Sequence, residues 1–330
     1  MRAGGAGVDL AQIYAPIQHD LDALDGLLRA ELASEDPLVG ELVTYVLSTR
    51  GKLVRPALTC LAAEAIGGGE EERLYLAGTV ELIHIASLIH DDIIDQADVR
   101  RGSPTVNVQW GNQLAVLLGD LLFARAFDLI SRVRHPQVAP AVAHAAVRMS
   151  QAEIKQLEYA AEPHQHEGVY LEIIEGKTAA LFSAACRGGA LLAGGTAEQA
   201  AALAEFGLSW GMSFQITDDT LDLTSRPEAL GKPIGSDIQG GKVTLPVIHA
   251  LRCASPGDRA ELLRLLQTPS ADGQVEEVRP LLDRYGAIEY AVDVARRYAA
   301  RAAAALEALP PSPARQSLRA LTEFVLVRPR

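Results

Sequence analysis

The sequence predicts an all-α fold, because apolar residues recur at three- and four-residue steps along most of the chain. Glycine and proline clusters separate these amphipathic stretches, and no segment shows the apolar–polar alternation of a half-buried β-strand. A hydrophobic fraction of 48% over 330 residues provides enough apolar surface for a large core. The composition does not shift along the chain, so we expect residues 1–330 to form one helical domain.

The helices can be placed in order from their apolar stripes and their caps. The first stripe starts at Leu10 and ends at Leu28, and acidic residues occupy its opposite face. Asp36 and Pro37 form an N-cap followed by proline at the first helical position, which opens a second helix that ends near Ser48. The other predicted helices cover residues 55–66, 71–96, 110–132, 137–160, 169–193, 197–224, 243–254, 256–268, 276–283, 287–308 and 313–325.

Charge and cysteine content exclude several classes of protein. A net charge of −12 argues against a nucleic-acid partner, because a phosphate backbone is bound by a basic surface. The three cysteines lie far apart without a CxxC pair, so neither a disulfide framework nor a zinc site is indicated. The N-terminus lacks the apolar run of a signal peptide, and no apolar stretch reaches the ~18 residues that span a bilayer. We therefore expect a cytoplasmic protein.

Lysine is rare in this chain, and its positions are informative. Of 30 basic residues only five are lysine, and four of these lie directly after a glycine. Lysine carries a compact point charge that suits a phosphate oxygen in a tight site. The longest predicted loop, from Ser225 to Gly241, has two of these lysines in or beside it, and such a loop in a helical bundle is more often functional than idle. The four lysines predicted to bind phosphate are Lys52, Lys177, Lys232 and Lys242.

Two acidic clusters share the spacing DDxxD, and each ends an apolar helical stretch. Residues i and i+4 share a helix face, so the outer aspartates of each cluster repel one another unless a cation lies between them. Oxygen ligands of this kind suit a hard cation, and Mg²⁺ is usually held by one or two carboxylates together with substrate phosphates. The predicted metal ligands are Asp91, Asp92, Asp95, Asp218, Asp219 and Asp222.

Basic residues near these clusters indicate what the metal would bind. Arg100 and Arg101 follow the first cluster, and Lys52 and Arg55 lie upstream of it. At 4 Å and an effective dielectric constant of 20, one pair of unit charges interacts by about 4 kcal/mol. A diphosphate that faced six carboxylates would therefore be expelled unless metal ions lay between them. We expect a site in which Mg²⁺ and basic side chains hold a diphosphate from two sides.

These motifs, in this order, resemble the trans-prenyltransferases, also called polyprenyl diphosphate synthases. A single DDxxD would be weak support, whereas seven ordered segments are specific, and they mark a motif-bearing core of about residues 51–246. One departure is Leu53, where many relatives carry a basic residue. The matching segments are residues 51–56, 81–95, 100–102, 176–182, 214–222, 231–237 and 241–246.

The resemblance implies a bundle around a central apolar cavity and a head-to-tail condensation of two diphosphates. An allylic diphosphate ionises to a carbocation, the double bond of isopentenyl diphosphate attacks it, and a proton is lost. The six aspartates would hold two or three Mg²⁺ ions, which stabilise the charge that develops on the leaving diphosphate. The family also implies a homodimer, and a transient membrane contact during product release is left open.

The resemblance assigns roles to the remaining motif residues. Thr178 and Gln215, beside Lys177, would direct their oxygens at the carbocation. The allylic diphosphate would be held by Arg100, Lys177, Lys232 and Lys242. Isopentenyl diphosphate would be held by Gly51, Lys52, Arg55, His84 and Arg101.

Product length is expected to depend on the residues one turn before the first cluster, Ala86 and Ser87. In short-chain relatives a bulky aromatic residue near this position blocks elongation, whereas the methyl group of Ala86 leaves space. The two-residue insertion of bacterial farnesyl diphosphate synthases is also missing. Both features predict a long-chain product of about C30–C50 of the kind used for quinone side chains, with Phe123, Phe127 or Phe182 as candidates for the tunnel floor.

Four alternatives stay open to different degrees. A shorter-chain farnesyl or geranylgeranyl diphosphate synthase, or the catalytic subunit of a heteromeric synthase, would carry the same motifs. A class I terpene cyclase is disfavoured, because its second metal motif is normally an Asn/Ser/Glu pattern and it needs no site for a second diphosphate. A non-catalytic helical partner protein is disfavoured because both acidic clusters are intact.

Overall fold

The computed structural model describes residues 9–68, 71–160, 166–224, 235–239, 242–267 and 274–327. The all-α prediction is confirmed. The helices are α1 (Leu10–Tyr14), α2 (Gln18–Glu31), α3 (Pro37–Ser48), α4 (Val54–Ile66), α5 (Glu72–Ile94), α6 (Val106–Trp110), α7 (Asn112–Ser131), α8 (Val138–Ala160), α9 (Glu167–Ile174), α10 (Ala180–Leu192), α11 (Ala197–Thr224), α12 (Ser236–Gln239), α13 (Leu245–Cys253), α14 (Pro256–Gln267), α15 (Gln274–Arg284), α16 (Ala287–Ala305) and α17 (Pro313–Phe324). Short 3-10 turns cover Ala15–Ile17 and Leu306–Ala308.

The expectation of no β-structure is wrong at one place. Strands β1 (Val99–Arg100) and β2 (Ser103–Pro104) pair in antiparallel fashion directly after the first acidic cluster. Both residues of the intervening turn have positive φ, 53° at Arg101 and 77° at Gly102, as a type I′ hairpin turn requires. Strands of two residues are too short to produce an alternation that a sequence pattern can reveal.

Two predicted helices differ from the structure in detail. The predicted stretch 110–132 corresponds to α7, and Gly111, with a φ of 82°, separates α7 from the short, unpredicted α6. The stretch 169–193 contains a π-helical turn, Glu175–Ala179, between α9 and α10. A π turn inserts one residue into the helical register without interrupting the hydrogen-bonded run, so the apolar periodicity on either side still reads as one helix.

The apolar side chains form two core clusters. The larger is built around α4, α5, α7 and α10, and the smaller joins α9 and α11 to α13–α16. Helix α11 contributes to both, with Phe206 and Trp210 in the larger cluster and Met212 and Ile216 in the smaller. Because α5 and α11 are mostly buried, the polar last turn of each helix is held by a rigid scaffold.

The acidic clusters lie where predicted, at the C-terminal ends of long apolar helices. Helix α5 ends at Ile94 with Asp95 as its C-cap, and α11 ends at Thr224, two residues after Asp222. Among the described residues, no helix combines the length and apolar character needed to cross a bilayer.

Candidate active site

The β1–β2 hairpin folds back onto the first acidic cluster. Asp92 is 4% exposed, and its Oδ1 accepts a hydrogen bond of 2.7 Å from Nε of Arg100 on β1. Burial raises the pKa of Asp92, and the nearby Arg100 guanidinium partly opposes that rise. The hairpin therefore brings one of the predicted diphosphate-binding arginines directly onto a predicted metal ligand.

The π turn between α9 and α10 delivers Lys177 to the same cluster. Its Nζ lies 3.6 Å from Oδ2 of Asp91 and forms a close ion pair with Glu153 on α8. Burial raises the pKa of Asp91 to about 6 despite the attraction of Lys177. Burial opposes protonation of Lys177, but Asp91 and Glu153 outweigh it and raise the pKa of the ammonium group.

A third basic residue, which lies far from the first cluster in the sequence, also contacts it. Nζ of Lys242 donates a hydrogen bond of 2.7 Å to Oδ2 of Asp95, and its backbone N–H donates to the carbonyl of Asp237. Asp237 lies on α12, and its backbone N–H donates to Oδ2 of Asp222 at 3.1 Å. Through this short segment, the ends of α5 and α11 are connected at one end of the bundle.

The three carboxylates of the second cluster have different surroundings. Asp218 is exposed, whereas Asp222 is 1% exposed and anchors the segment that carries Asp237. Asp219 is 7% exposed, and burial, followed by repulsion from Asp237, raises its pKa to about 8. Two protein donors hold Asp219: the Tyr170 hydroxyl at 2.7 Å from Oδ2 and Nε2 of Gln215 at 2.7 Å from Oδ1.

Thr178 and Gln215, both predicted to face the carbocation, contact each other in the structure. The Thr178 hydroxyl donates to Oε1 of Gln215 at 2.8 Å, while the amide nitrogen of Gln215 donates to Asp219. The amide orientation is therefore set by two partners. The role of these two oxygens toward a carbocation stays a prediction.

The residues predicted to hold isopentenyl diphosphate lie beside the hairpin. A Cβ atom at Gly51 would lie 2.6 Å from Nη2 of Arg101, so glycine lets the guanidinium pack against the backbone there. Lys52 is exposed. Arg55 is buried, and its Cζ lies 4.3 Å from the centroid of the Phe182 ring. Burial lowers the pKa of Arg55 to about 10. Burial, followed by repulsion from Arg55, lowers the pKa of His84 well below its usual value, so the imidazole is neutral near pH 7.

The predicted chain-length residues lie inside the bundle. Ala86 is completely buried, and Ser87 is half-buried with its hydroxyl donating to the His84 carbonyl. Of the candidates for the tunnel floor, Phe182 is completely buried, whereas Phe127 is 60% exposed. The suggestion that Phe127 closes a tunnel within one chain is therefore wrong, because α7 turns this ring outward.

Three residues near the acidic clusters escaped the sequence analysis as site residues. Glu153, Tyr170 and Asp237 contact or adjoin Lys177, Asp219 and the end of α11. Asp237 lies within a matched segment, so only its role was missed. Glu153 lies among other polar residues of α8, and Tyr170 reads as an ordinary core residue of α9, so no spacing singles them out. Lys232 and the glycine before Lys242 lie outside the described residues.

The donor chemistry fits a divalent metal ion. Within the described part of the chain, no three His, Cys, Asp or Glu side chains converge as a ready ligand cage; basic side chains contact the first cluster instead. The available donors are carboxylate oxygens, which hard cations prefer. Burial is the largest cause of the raised pKa values of Asp91, Asp92 and Asp219, so ionising these carboxylates in the interior is costly unless a cation compensates.

Comparison with known proteins agrees with this geometry. A family model described as polyprenyl synthetase matches residues 36–283. The octaprenyl diphosphate synthase of Haemophilus influenzae is 35% identical over 302 residues, 92% of this chain and 92% of that protein. A short chain isoprenyl diphosphate synthase of Methanothermobacter thermautotrophicus is 40% identical over 86% of this chain and 88% of its own.

A solved structure is similar over nearly the whole fold. The polyprenyl synthase of Caulobacter crescentus, crystallised with calcium and isoprenyl diphosphate, matches with a TM-score of 0.93 at 32% identity and covers 99% of both chains. An acidic helix end contacted by arginine and lysine is connected to a second acidic helix end, on a bundle that this family model covers from α3 to α15, and this leads to one conclusion: the chain belongs to the polyprenyl synthetase family of prenyltransferases.

Proposed function

We propose that the chain is a trans-polyprenyl diphosphate synthase that joins isopentenyl diphosphate to an allylic diphosphate and makes a long-chain product of about C30–C50. The observation that carries the proposal is the convergence of three basic side chains on one acidic cluster. Arg100, Lys177 and Lys242 come from three separate parts of the sequence and reach Asp92, Asp91 and Asp95. Such a concentration of both charges suits a metal-bound diphosphate.

The six aspartates would hold Mg²⁺, which supplies Lewis-acid stabilisation of the departing diphosphate. The chain's own residues then have distinct tasks. Arg100, Lys177 and Lys242 neutralise the outer oxygens of the allylic diphosphate, and Lys232 is proposed to join them from outside the described residues. The neutral imidazole of His84 donates or accepts a hydrogen bond without adding charge. Buried Arg55, together with Lys52 and Arg101, binds the second diphosphate at the Gly51 backbone.

The long-chain assignment rests on Ala86, and the octaprenyl relative is consistent with it. Ala86 is completely buried one turn before Asp91, and its side chain of one methyl group is proposed to leave room beside α5 for a growing chain. The short-chain relative, at 40% identity, is a specific reason to keep a shorter-chain synthase as the second candidate. Overall likeness therefore does not decide the product length, and the local volume at Ala86 carries this part of the proposal.

We also infer a homodimer of single-domain subunits. Exposed apolar side chains on α7 and α8 include Leu117 at 61%, Phe127 at 60% and Ile154 at 67% exposure. Apolar faces of this kind mark protein contacts, and a second copy of the chain is the partner proposed here. Participation of α11 in both core clusters supports one domain. A cytoplasmic location and a transient membrane contact stay predictions.

The proposal is tested by incubating the purified protein with Mg²⁺, isopentenyl diphosphate, and farnesyl or geranylgeranyl diphosphate, and reading product length by mass spectrometry. We expect prenyl diphosphates of about C30–C50 and no product in excess chelator. A dominant C15 or C20 product would favour the second candidate. Activity that appears only after a second, dissimilar chain is added would identify a heteromeric synthase.

Removal of one metal ligand from each cluster tests the site itself. Asp91→Ala and Asp218→Ala should each lower the rate by orders of magnitude, because each removes a carboxylate that would hold the ion at the leaving group. Asp293→Ala, at an exposed carboxylate on α16, is the matched control and should retain wild-type activity. Full activity of both cluster variants in chelator would disprove the metal assignment.

A further inference from the structure

Tyr170 is a buried side chain outside the sequence motifs, yet its hydroxyl contacts the second acidic cluster. The residue is 4% exposed and belongs to the smaller core cluster, which also contains Ile174 and Ile216. The hydroxyl donates a hydrogen bond of 2.7 Å to Oδ2 of Asp219. A phenol is protonated at neutral pH, so it donates to a carboxylate and does not compete with that carboxylate for a cation.

Tyr170 completes a set of contacts that ties two helical segments together. Gln215 donates to the other oxygen of Asp219 and in turn accepts the hydroxyl of Thr178. Tyr170 and Thr178 lie on one continuous run formed by α9, the π turn and α10, whereas Gln215 and Asp219 lie one turn apart on α11. The two segments are thus joined at two points, and both carboxylate oxygens of Asp219 receive one hydrogen bond from the protein.

We propose that Tyr170 is a positioning residue for the metal site: its hydroxyl fixes the rotation of the Asp219 carboxylate so that the oxygens present their remaining lone pairs to Mg²⁺. The inference rests on the proposed function, since it takes Asp219 as a metal ligand. Hydrogen bonds to metal-binding side chains orient the ligand, and their loss typically weakens metal affinity by about 10–100-fold. Tyr170 itself touches neither metal nor substrate in this scheme.

The test is Tyr170→Phe, which removes one oxygen and preserves the ring that belongs to the smaller core cluster. Turnover is measured against Mg²⁺ concentration, and Mg²⁺ binding in the presence of inorganic pyrophosphate is measured by calorimetry. We expect the half-saturating Mg²⁺ concentration and the calorimetric Kd to rise together by about tenfold or more. Turnover at saturating Mg²⁺ should fall much less. Thermal unfolding in chelator measures any loss of stability that does not involve the metal.

Tyr285→Phe is the matched control. This substitution also removes a hydrogen bond from a tyrosine hydroxyl to a carboxylate, 2.6 Å from the Tyr285 hydroxyl to Oδ2 of Asp258. Both residues are distant in sequence from the two acidic clusters. This variant should lose some stability and keep its Mg²⁺ dependence. If Tyr170→Phe likewise lowers stability but leaves the calorimetric Kd and the Mg²⁺ dependence unchanged, Tyr170 has only a structural role and the inference is overturned.

A further variant separates failure of this inference from failure of the proposed function. Asp219→Asn should weaken Mg²⁺ binding strongly, and adding Tyr170→Phe to it should cause no further loss, because the side chain that Tyr170 orients is no longer a carboxylate. Unchanged Mg²⁺ binding in Asp219→Asn would overturn the metal assignment itself. Weakened binding in Asp219→Asn with none in Tyr170→Phe would overturn only the role of Tyr170.

Discussion

Asp219 illustrates how a proposed metal ligand can oppose the stability of the fold that holds it. Burial, followed by repulsion from Asp237, raises its pKa to about 8 in the metal-free protein. A carboxyl group whose pKa is raised by folding contributes most to stability at low pH, and this contribution is lost as the pH rises toward 8. The residue therefore destabilises the metal-free protein under the near-neutral conditions in which it would be needed.

We expect Asp219→Asn to stabilise the metal-free protein while removing turnover. Asparagine resembles the protonated acid, so the gain in free energy of unfolding should exceed about 1 kcal/mol near neutral pH. The gain should grow from pH 5 to pH 8 and level off above. Denaturant unfolding in chelator at several pH values measures it. If Asp219→Asn were less stable than the wild type at pH 8, the protein itself would stabilise the Asp219 carboxylate without metal.

Ala86 is the residue at which a change of volume should alter the product. We expect a graded series, Ala86→Val, Ala86→Leu and Ala86→Phe, to shorten the product stepwise, because each larger side chain fills more of the space beside α5. Ala86 is completely buried, so overpacking should also cost about 1–3 kcal/mol of stability. Mass spectrometry of products from folded variants is the measurement. Unchanged chain length across the series would refute a tunnel at this position.

At the scale of elements, the π turn Glu175–Ala179 requires close packing against α8. A Cβ atom at Gly176 would lie 2.8 Å from Cβ of Ala152 and 3.0 Å from the carbonyl oxygen of Arg148. Gly176 thus lets the turn approach α8 closely enough for the neighbouring Lys177 to reach Glu153. The glycine that precedes a lysine in the sequence is explained here by helix packing and not by phosphate contact.

Gly176→Ala should therefore displace Lys177 and lower turnover by about tenfold or more, with a stability cost of about 1–3 kcal/mol from overpacking. Gly168→Ala on α9 is the control, because no atom lies within 4 Å of a Cβ built there. The control should be as stable as the wild type or more so. Turnover and thermal unfolding are measured for both variants. Equal turnover and equal stability of Gly176→Ala and Gly168→Ala would show that the turn does not require glycine at position 176.

The sequence predicts the long helices better than the short segments that connect them. Apolar periodicity identifies α5 and α11, and DDxxD spacing identifies the carboxylates at their ends. The hairpin at Arg101 and the π turn before α10 were missed, because each depends on a few backbone angles and leaves no repeating pattern. Tyr170 was missed for a different reason: its contact spans 49 residues, and nothing local distinguishes it from a core tyrosine.

For the whole molecule, the apolar faces of α7 and α8 predict the oligomeric state. Stable homodimers bury about 1,600 Å² or more, and a charge at the centre of such an interface is costly. Ile154→Glu should therefore convert a dimer into monomers in light scattering after size exclusion. Val327→Glu replaces an equally exposed apolar side chain near the C-terminus and should leave the dimer intact. A monomeric wild-type protein would contradict the proposed assembly.

The ion pairs of the first cluster have a consequence for how this protein can be handled. Arg100, Lys177 and Lys242 act as internal counterions for Asp92, Asp91 and Asp95, so this end of α5 does not depend on an added ion to offset its charge. We therefore expect that folding does not require metal loading. Polypeptide prepared in chelator should refold completely, and the ion then becomes a reagent that can start a reaction on demand.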